Sequence, residues 1–206
     1  MKKAVSLLLN AFIAVTVPYA WLKMMFSAGG LLSSSGWGAL KYFTVLSNLL
    51  MGLASLIYIA ALIIGKGVPR RAAVLKHTAT TAVALTFMTV MAFLGPVFGY
   101  GTMFSGANLW FHLLVPIAAI VDYAFFFENP DSKFSDTFAA IIPMLAYSAF
   151  YLANILINGK GEWPDTNDWY GFLSWGAIPG LGIFAAMLLA TWGMAAGLRA
   201  LNRKIG

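Results

Sequence analysis

The chain has 206 residues, 61% hydrophobic and 10% charged, with a mean hydropathy of +0.82. Soluble domains carry roughly 25% charged residues, so this composition excludes a soluble enzyme and points to a membrane protein. The net charge of +6 falls mostly in short connections between apolar runs, where topology explains it better than nucleic acid does, and the lack of cysteine excludes disulfides and thiolate chemistry.

About 20 apolar residues cross the hydrocarbon core as a helix. On that measure the sequence predicts an all-α polytopic membrane protein. It is read as a single six-helix transmembrane domain over residues 1–206, with spans at about 4–26, 39–64, 72–95, 107–127, 135–157 and 171–197. The runs are continuous, unlike the alternating ten-residue segments of a membrane β-barrel. Met1-Lys2-Lys3 resembles the start of a signal peptide, but the run to Phe26 is too long for one, so it is read as a retained first span.

Lys and Arg set the orientation. With the N-terminus cytoplasmic, the inner side holds Lys2, Lys3, Lys66, Arg70, Arg71, Lys76, Lys133, Arg199, Arg203 and Lys204, against Lys23, Lys41 and Lys160 outside. Six spans then return the C-terminus to the cytoplasm. The outer connections are Gly/Ser-rich (Ser27 to Gly38), Gly-rich with aromatics (Pro96 to Gly106), and mixed acidic and aromatic (Asn158 to Tyr170, with Glu162, Trp163, Asp165, Asp168 and Trp169).

Polar groups inside a span are costly and usually face the bundle interior. In span 2, Thr44, Ser47 and Asn48 sit at i, i+3 and i+4 and share one face. Thr44 lies five residues into its span and His112 five residues into span 4, each roughly 7.5 Å below the outer start. Span 5 adds a stripe of Tyr147, Tyr151, Asn154 and Asn158 rising towards the same surface. A threonine hydroxyl near a histidine base permits acyl transfer, with Asn48, Asn154 or Tyr151 as oxyanion donors or ring-orienting groups. The competing structural reading has Thr44 bonded back to the carbonyl of Leu40 or Lys41, and His112 as an interhelical hydrogen-bonding residue.

At the inner side, His77 and Asp122 can pair with each other, or Asp122 with Lys76, as a structural pair or a proton-coupling group. The two histidines fall on opposite sides, so no metal site is expected, and no cofactor fingerprint appears. Gly180, Gly182, Ala185 and Ala186 suit close helix packing, and Pro18, Pro116, Pro143 and Pro179 lie within spans. Pro116 is expected to free the carbonyl of His112, four residues earlier.

Two stretches, Phe43-Thr44-Val45-Leu46-Ser47-Asn48 and Asn108-x3-His112-x3-Pro116 followed by Asp122, resemble the androgen-induced protein family of multi-pass membrane hydrolases. Its bacterial relatives, with similar FTxxSN and HxxxP stretches, are the nearer likeness. The resemblance implies an intramembrane threonine hydrolase acting on fatty acid esters of hydroxy fatty acids, with Thr44 as nucleophile and His112 as base. Ser47, Asn48, Asn108, Tyr147, Tyr151 and Asn154 are the candidate supporting residues. The expected partners are a lipid-like ester and membrane lipids, in a bacterial inner membrane, with no nucleic acid and the oligomeric state open. The alternative is a proton-coupled transporter or small-molecule binding protein using His112, Asp122 and His77.

Overall fold

The structure, a computed structural model, describes residues 1–26, 35–65, 67–128, 132–162 and 166–205. Residues 27–34 of the Gly/Ser-rich connection, Lys66, and Trp163 to Asp165 in the acidic connection lie outside the described residues. No strand occurs among the described residues. Five helices are long and apolar enough to cross a membrane: α1 (Lys2–Phe26), α2 (Phe43–Ile64), α3 (Arg70–Phe98), α6 (Asp136–Asn158) and α7 (Ala177–Ile205). Between α3 and α6 come a one-turn helix, α4 (Tyr100–Met103), and a shorter apolar helix, α5 (Trp110–Phe126). This is the architecture of a membrane-embedded protein, and large apolar side chains such as Leu8, Val15, Leu53, Phe150 and Leu189 face outwards.

Helix ends follow local chemistry. α2 begins after a 3₁₀ turn at Gly36–Lys41 and stops at Gly65, whose φ of 75° closes a left-handed cap with its N–H on the carbonyl of Leu62. The last helix, α7, begins later than expected and runs further: turns at Gly171 (φ 70°) and Gly176 (φ 103°) hold residues 171–176 out of helical register before Ala177. Pro143 follows a break at residues 140–141 within α6, where regular helix restarts at Ile142, and Pro179 falls in the first turn of α7, so in both places the missing N–H costs little.

α3 is the most buried of the five long helices and packs against α2, α5, α6 and α7, whereas α1 packs on α2 and α5. α7 is the least buried. Lys2 Nζ donates to the carbonyl of Ile205 at 3.0 Å, so the two ends of the chain meet at one end of the bundle. Of the glycines in α7, only Gly180 allows a close approach: a Cβ there would sit 2.2 Å from Leu173, while Gly182 faces open space.

Three π-helical turns interrupt the regular helices, at Val90–Leu94, Trp110–Leu114 and Asp122–Phe126. In each, the N–H after the turn bonds five residues back: Gly95 to Val90, Val115 to Trp110, Phe127 to Asp122. The next donor in that register is missing at Pro96 and Pro116, which strands the carbonyls of Met91 and Phe111. Side chains take them over. Tyr100 Oη donates to Met91 O at 2.8 Å and Asn48 Nδ2 to Phe111 O at 3.0 Å. At the third turn, where α5 ends, Asn202 Nδ2 donates to Tyr123 O at 2.6 Å and Phe127 O at 2.7 Å. The carbonyl that Pro116 leaves to a side-chain donor is therefore that of Phe111, not of His112, because the π turn shifts the register by one residue. Gly95 is needed for the first of these, since a Cβ there would lie 2.1 Å from the Tyr100 ring.

Candidate functional site

The start of α2 is capped from outside its own sequence. Tyr42 supplies no side-chain cap, and the N–H of Phe43 instead donates to Tyr170 Oη at 3.1 Å. Tyr170 belongs to the connection between α6 and α7. The stripe on α6 holds that connection down: Tyr151 Oη donates to Asp168 Oδ1 at 2.6 Å, and Asn154 Nδ2 to Asn167 Oδ1 at 3.1 Å. Tyr147 Oη donates to the carbonyl of Lys41 at 2.7 Å and accepts Trp169 Nε1–H at 3.0 Å. Burial pushes the Tyr170 hydroxyl up to about 12. The stripe thus clamps a loop over the mouth of the bundle, and Tyr151 and Asn154 are committed to that loop.

Under this clamp lies a cavity of about 400 Å³ between α2, α3, α6 and the start of α7. Its walls are mainly apolar, including Phe43, Phe93, Phe98, Phe172 and Trp175, and the π turn of α3 supplies Val90 and Leu94. Thr44, Thr86, Thr89, Ser174, Tyr147 and Tyr170 bring hydroxyls to it. A second apolar cavity of about 360 Å³ lies between α2 and α6. Phe43 and Tyr147, in edge-to-face contact with centroids 5.2 Å apart, line both.

Several hydroxyls elsewhere in the helices are spent on the backbone, although the buried Ser55 Oγ has no partner among the described residues. Thr81 donates to His77 O, Ser148 to Met144 O and Thr191 to Met187 O, at 2.7–2.9 Å. Thr44 differs. The Lys41 carbonyl is taken by Tyr147, and within the described residues the Thr44 hydroxyl makes no hydrogen bond. The expected back-bond to Leu40 or Lys41 is absent, and the half-buried side chain stands at the cavity wall.

His112 lies in the π turn of α5 and is buried, with Nδ1 2.7 Å from the carbonyl of Met103. A carbonyl only accepts, so Nδ1 carries the proton, and the neutral ring keeps its lone pair on Nε2. No hydrogen bond joins it to Thr44, and it is not among the residues lining the cavity. The two are nonetheless linked through the backbone: Asn48 Nδ2 donates to Thr44 O at 2.7 Å and to Phe111 O, next to His112. Ser47 Oγ lies 3.1 Å from both Thr44 O and Thr86 Oγ1. The Asn48 amide is therefore committed as a donor, while its buried Oδ1 has no partner. Asn108 is half-buried and off the cavity wall.

The second polar cluster lies near the termini. Of the two pairings open in the sequence, Asp122 takes Lys76, and both are fully buried. Asn10 completes the set: its Nδ2 donates to Asp122 Oδ2 at 2.8 Å, and its Oδ1 accepts from Lys76 Nζ at 2.6 Å. Ser6 Oγ donates to Tyr58 Oη at 2.8 Å, and the Lys76 ammonium lies 4.2 Å from the centre of the Tyr58 ring. Lys76 is thus a core residue of α3 and not one of the exposed cations assigned to an inner connection. His77 stacks on Tyr123 with centroids 5.0 Å apart, its Nε2 3.0 Å from Ala195 O. No group of three metal-ligating side chains forms among the described residues.

Sequence reasoning missed Ser6, Asn10 and Tyr58 in the ion-pair cluster, and Thr86, Thr89 and Ser174 at the cavity. Ser6 with Asn10 (i, i+4) and Thr86 with Thr89 (i, i+3) are polar pairs on one helix face within apolar runs, the pattern that had flagged Thr44. No protein-family model, curated protein or solved structure matches the chain.

Proposed function

We propose that the protein takes a lipid-like ester into the cavity beside Thr44 and hydrolyses it, with Thr44 as nucleophile and His112 as general base. One observation carries this reading: an intramembrane threonine hydroxyl without a hydrogen bond faces an apolar cavity of about 400 Å³. In this scheme Thr44 Oγ1 attacks the ester carbonyl and its proton passes to His112 Nε2, directly or through one water. The bond to the leaving alcohol breaks as His112 returns the proton. Water, deprotonated by the same ring, then frees the acid from the acyl-threonine. Thr89 and Ser174 hydroxyls, which also make no hydrogen bond within the described residues, are the donors left to meet the oxyanion. Support for the base comes from Met103, whose carbonyl selects the tautomer with a basic Nε2. The resemblance in the Thr44 and His112 stretches supplies the reaction type and extends the substrate to fatty acid esters of hydroxy fatty acids.

The proposed topology is six spans, counting α5, with both termini cytoplasmic. It is supported by Lys3, Arg70, Arg71, Lys133, Arg203 and Lys204 at the termini end, against Lys41 and Lys160 among the cations of the other. A bacterial inner membrane is proposed on the resemblance alone. The transporter alternative has weaker support. Asp122 is bound to Lys76, the Thr80 and Thr81 hydroxyls are spent on Met51 Sδ and His77 O, and Val115, Ala118 and Ala119 occupy α5 between His112 and Asp122.

Turnover of a fluorogenic long-chain ester by nanodisc-embedded protein tests the proposal. Thr44→Ala is expected to lower kcat by about a hundredfold or more at nearly unchanged melting temperature. His112→Ala is expected to lower kcat as much in the fraction that stays folded, with some loss of stability because the Met103 carbonyl loses its donor. Turnover that survives both substitutions refutes the Thr/His scheme.

A further inference from the structure

The cavity beside Thr44 carries information about the head group of its ligand. Among the described residues lining it, none is Asp, Glu, Lys, Arg or His. The nearby cations are engaged elsewhere: Lys41 Nζ lies over the rings of Tyr42 and Trp169, 5.4 and 5.7 Å from their centres, and Lys160 pairs with Asp168 at 3.8 Å. Its side-chain polar groups are all neutral: the Trp175 indole N–H, which only donates, and six hydroxyls, half of which are already used. Tyr147 Oη bonds Lys41 O and Trp169 Nε1, Tyr170 Oη accepts from Phe43 N, and Thr86 shares a hydrogen bond with Ser47. What remains is Thr44, Thr89 and Ser174, three neutral groups that each donate once and accept.

We infer that the cavity takes the uncharged part of an amphiphile, an ester, amide or alcohol, and keeps any carboxylate or phosphate of that amphiphile away from its walls. Neutral hydroxyls satisfy an ester carbonyl or an alcohol at little desolvation cost. A carboxylate or phosphate placed here gives up its hydration without meeting a counter-charge. The free carboxylate of a fatty acid ester of a hydroxy fatty acid therefore finds no partner among the cavity walls. This inference rests on the cavity being the ligand site, as proposed above, but not on hydrolysis taking place there.

Trp175 on the cavity wall makes the inference testable by fluorescence quenching in nanodiscs, with Trp175→Phe isolating its contribution from that of the other tryptophans. The probes are a monoacylglycerol and a fully ionised fatty acid, each brominated on the chain. The neutral monoester is expected to quench the Trp175 signal at a concentration about tenfold or more below that of the carboxylate. Thr89→Val is expected to weaken the monoester about fivefold without changing the melting temperature. A carboxylate that quenches as well as the monoester, or a monoester indifferent to Thr89→Val, overturns the inference. If neither probe quenches, the cavity reading falls together with it. Monoester binding without turnover leaves the inference standing and removes the hydrolase reading; preferential carboxylate binding with ester turnover does the reverse.

Discussion

The bundle holds two polar regions inside apolar helices, and they are built in opposite ways. Near the termini, Lys76, Asp122 and Asn10 tie α1, α3 and α5 together, with opposite charges in contact and each amide group of Asn10 bonded. At the other end, Thr44 and Thr89 stand at the wall of an apolar cavity, and their hydroxyls make no hydrogen bond among the described residues. A hydrogen-bonding group in a water-poor interior is costly unless satisfied. In the first region the two charges and the Asn10 amide are paired within the fold, with Asp122 Oδ1 left over. In the second, the hydroxyls of Thr44 and Thr89 are left over among the described residues, which is what the proposed ligand would satisfy. Polarity within a span is thus a poor guide to function until its partners are known.

The largest effect expected from breaking this contrast is at the closed cluster. Asp122→Ala leaves the Lys76 ammonium buried without its counter-charge and is expected to cost about 3–5 kcal/mol, read by denaturation in detergent. The triple variant Asn10→Leu/Lys76→Met/Asp122→Leu removes both charges together with the amide they satisfy and is expected to be roughly neutral. A single variant as stable as wild type would remove the ion pair from the account.

Asn48 lies between the two kinds of region, structural in its donors yet adjacent to the proposed site. Asn48→Leu strips the donor from Thr44 O and Phe111 O and is expected to cost about 1–3 kcal/mol. Because it also unties α2 from α5, turnover is expected to fall more than stability alone explains. Full activity in a folded Asn48→Leu protein would show that the tether does not position Thr44 against His112.

A smaller effect is expected at the clamp. Tyr170 ordinarily ionises near about 10, and burial raises it to about 12. The folded protein therefore keeps this proton to higher pH than the unfolded chain. The resulting stability is complete below about pH 10 and is lost as pH rises through about 12. Melting temperatures across that window should fall more steeply in wild type than in Tyr170→Phe; equal slopes would contradict the burial of this hydroxyl.

The smallest expected change in stability belongs to Thr44. Because its hydroxyl makes no hydrogen bond within the described residues, Thr44→Val should alter stability by no more than about 0.5 kcal/mol. Thr191→Val, which removes a bond to Met187 O at 2.7 Å, should cost more.

Hydropathy made five of the six apolar runs legible as long apolar helices, because the length of a membrane helix is written in its composition, while the run at 107–127 forms the shorter helix Trp110–Phe126. It mistook the start of the last, since Gly171 and Gly176 bend an apolar stretch that carries no polar signal of the bend. Charge counting misread Lys76, because a tally cannot see that Asp122 and Asn10 stand opposite it. The π turns were invisible for a related reason: Pro116 announces a missing donor, but only the local register decides which carbonyl is stranded. In the candidate site, the shared face of Thr44, Ser47 and Asn48 was readable from spacing. That Ser47 and Asn48 would be spent on backbone carbonyls and Thr44 left over was not, since it depends on Tyr147 taking the carbonyl of Lys41.

The most direct measurement is site-mapped labelling of the nanodisc-embedded protein by a long-chain phosphonate hydrolase probe, read by peptide mass spectrometry. The account predicts one phosphonylated peptide modified at Thr44, lost in Thr44→Val and in His112→Ala, and retained in Thr191→Val. Labelling at another residue, or labelling of Thr44 that persists without His112, would contradict it.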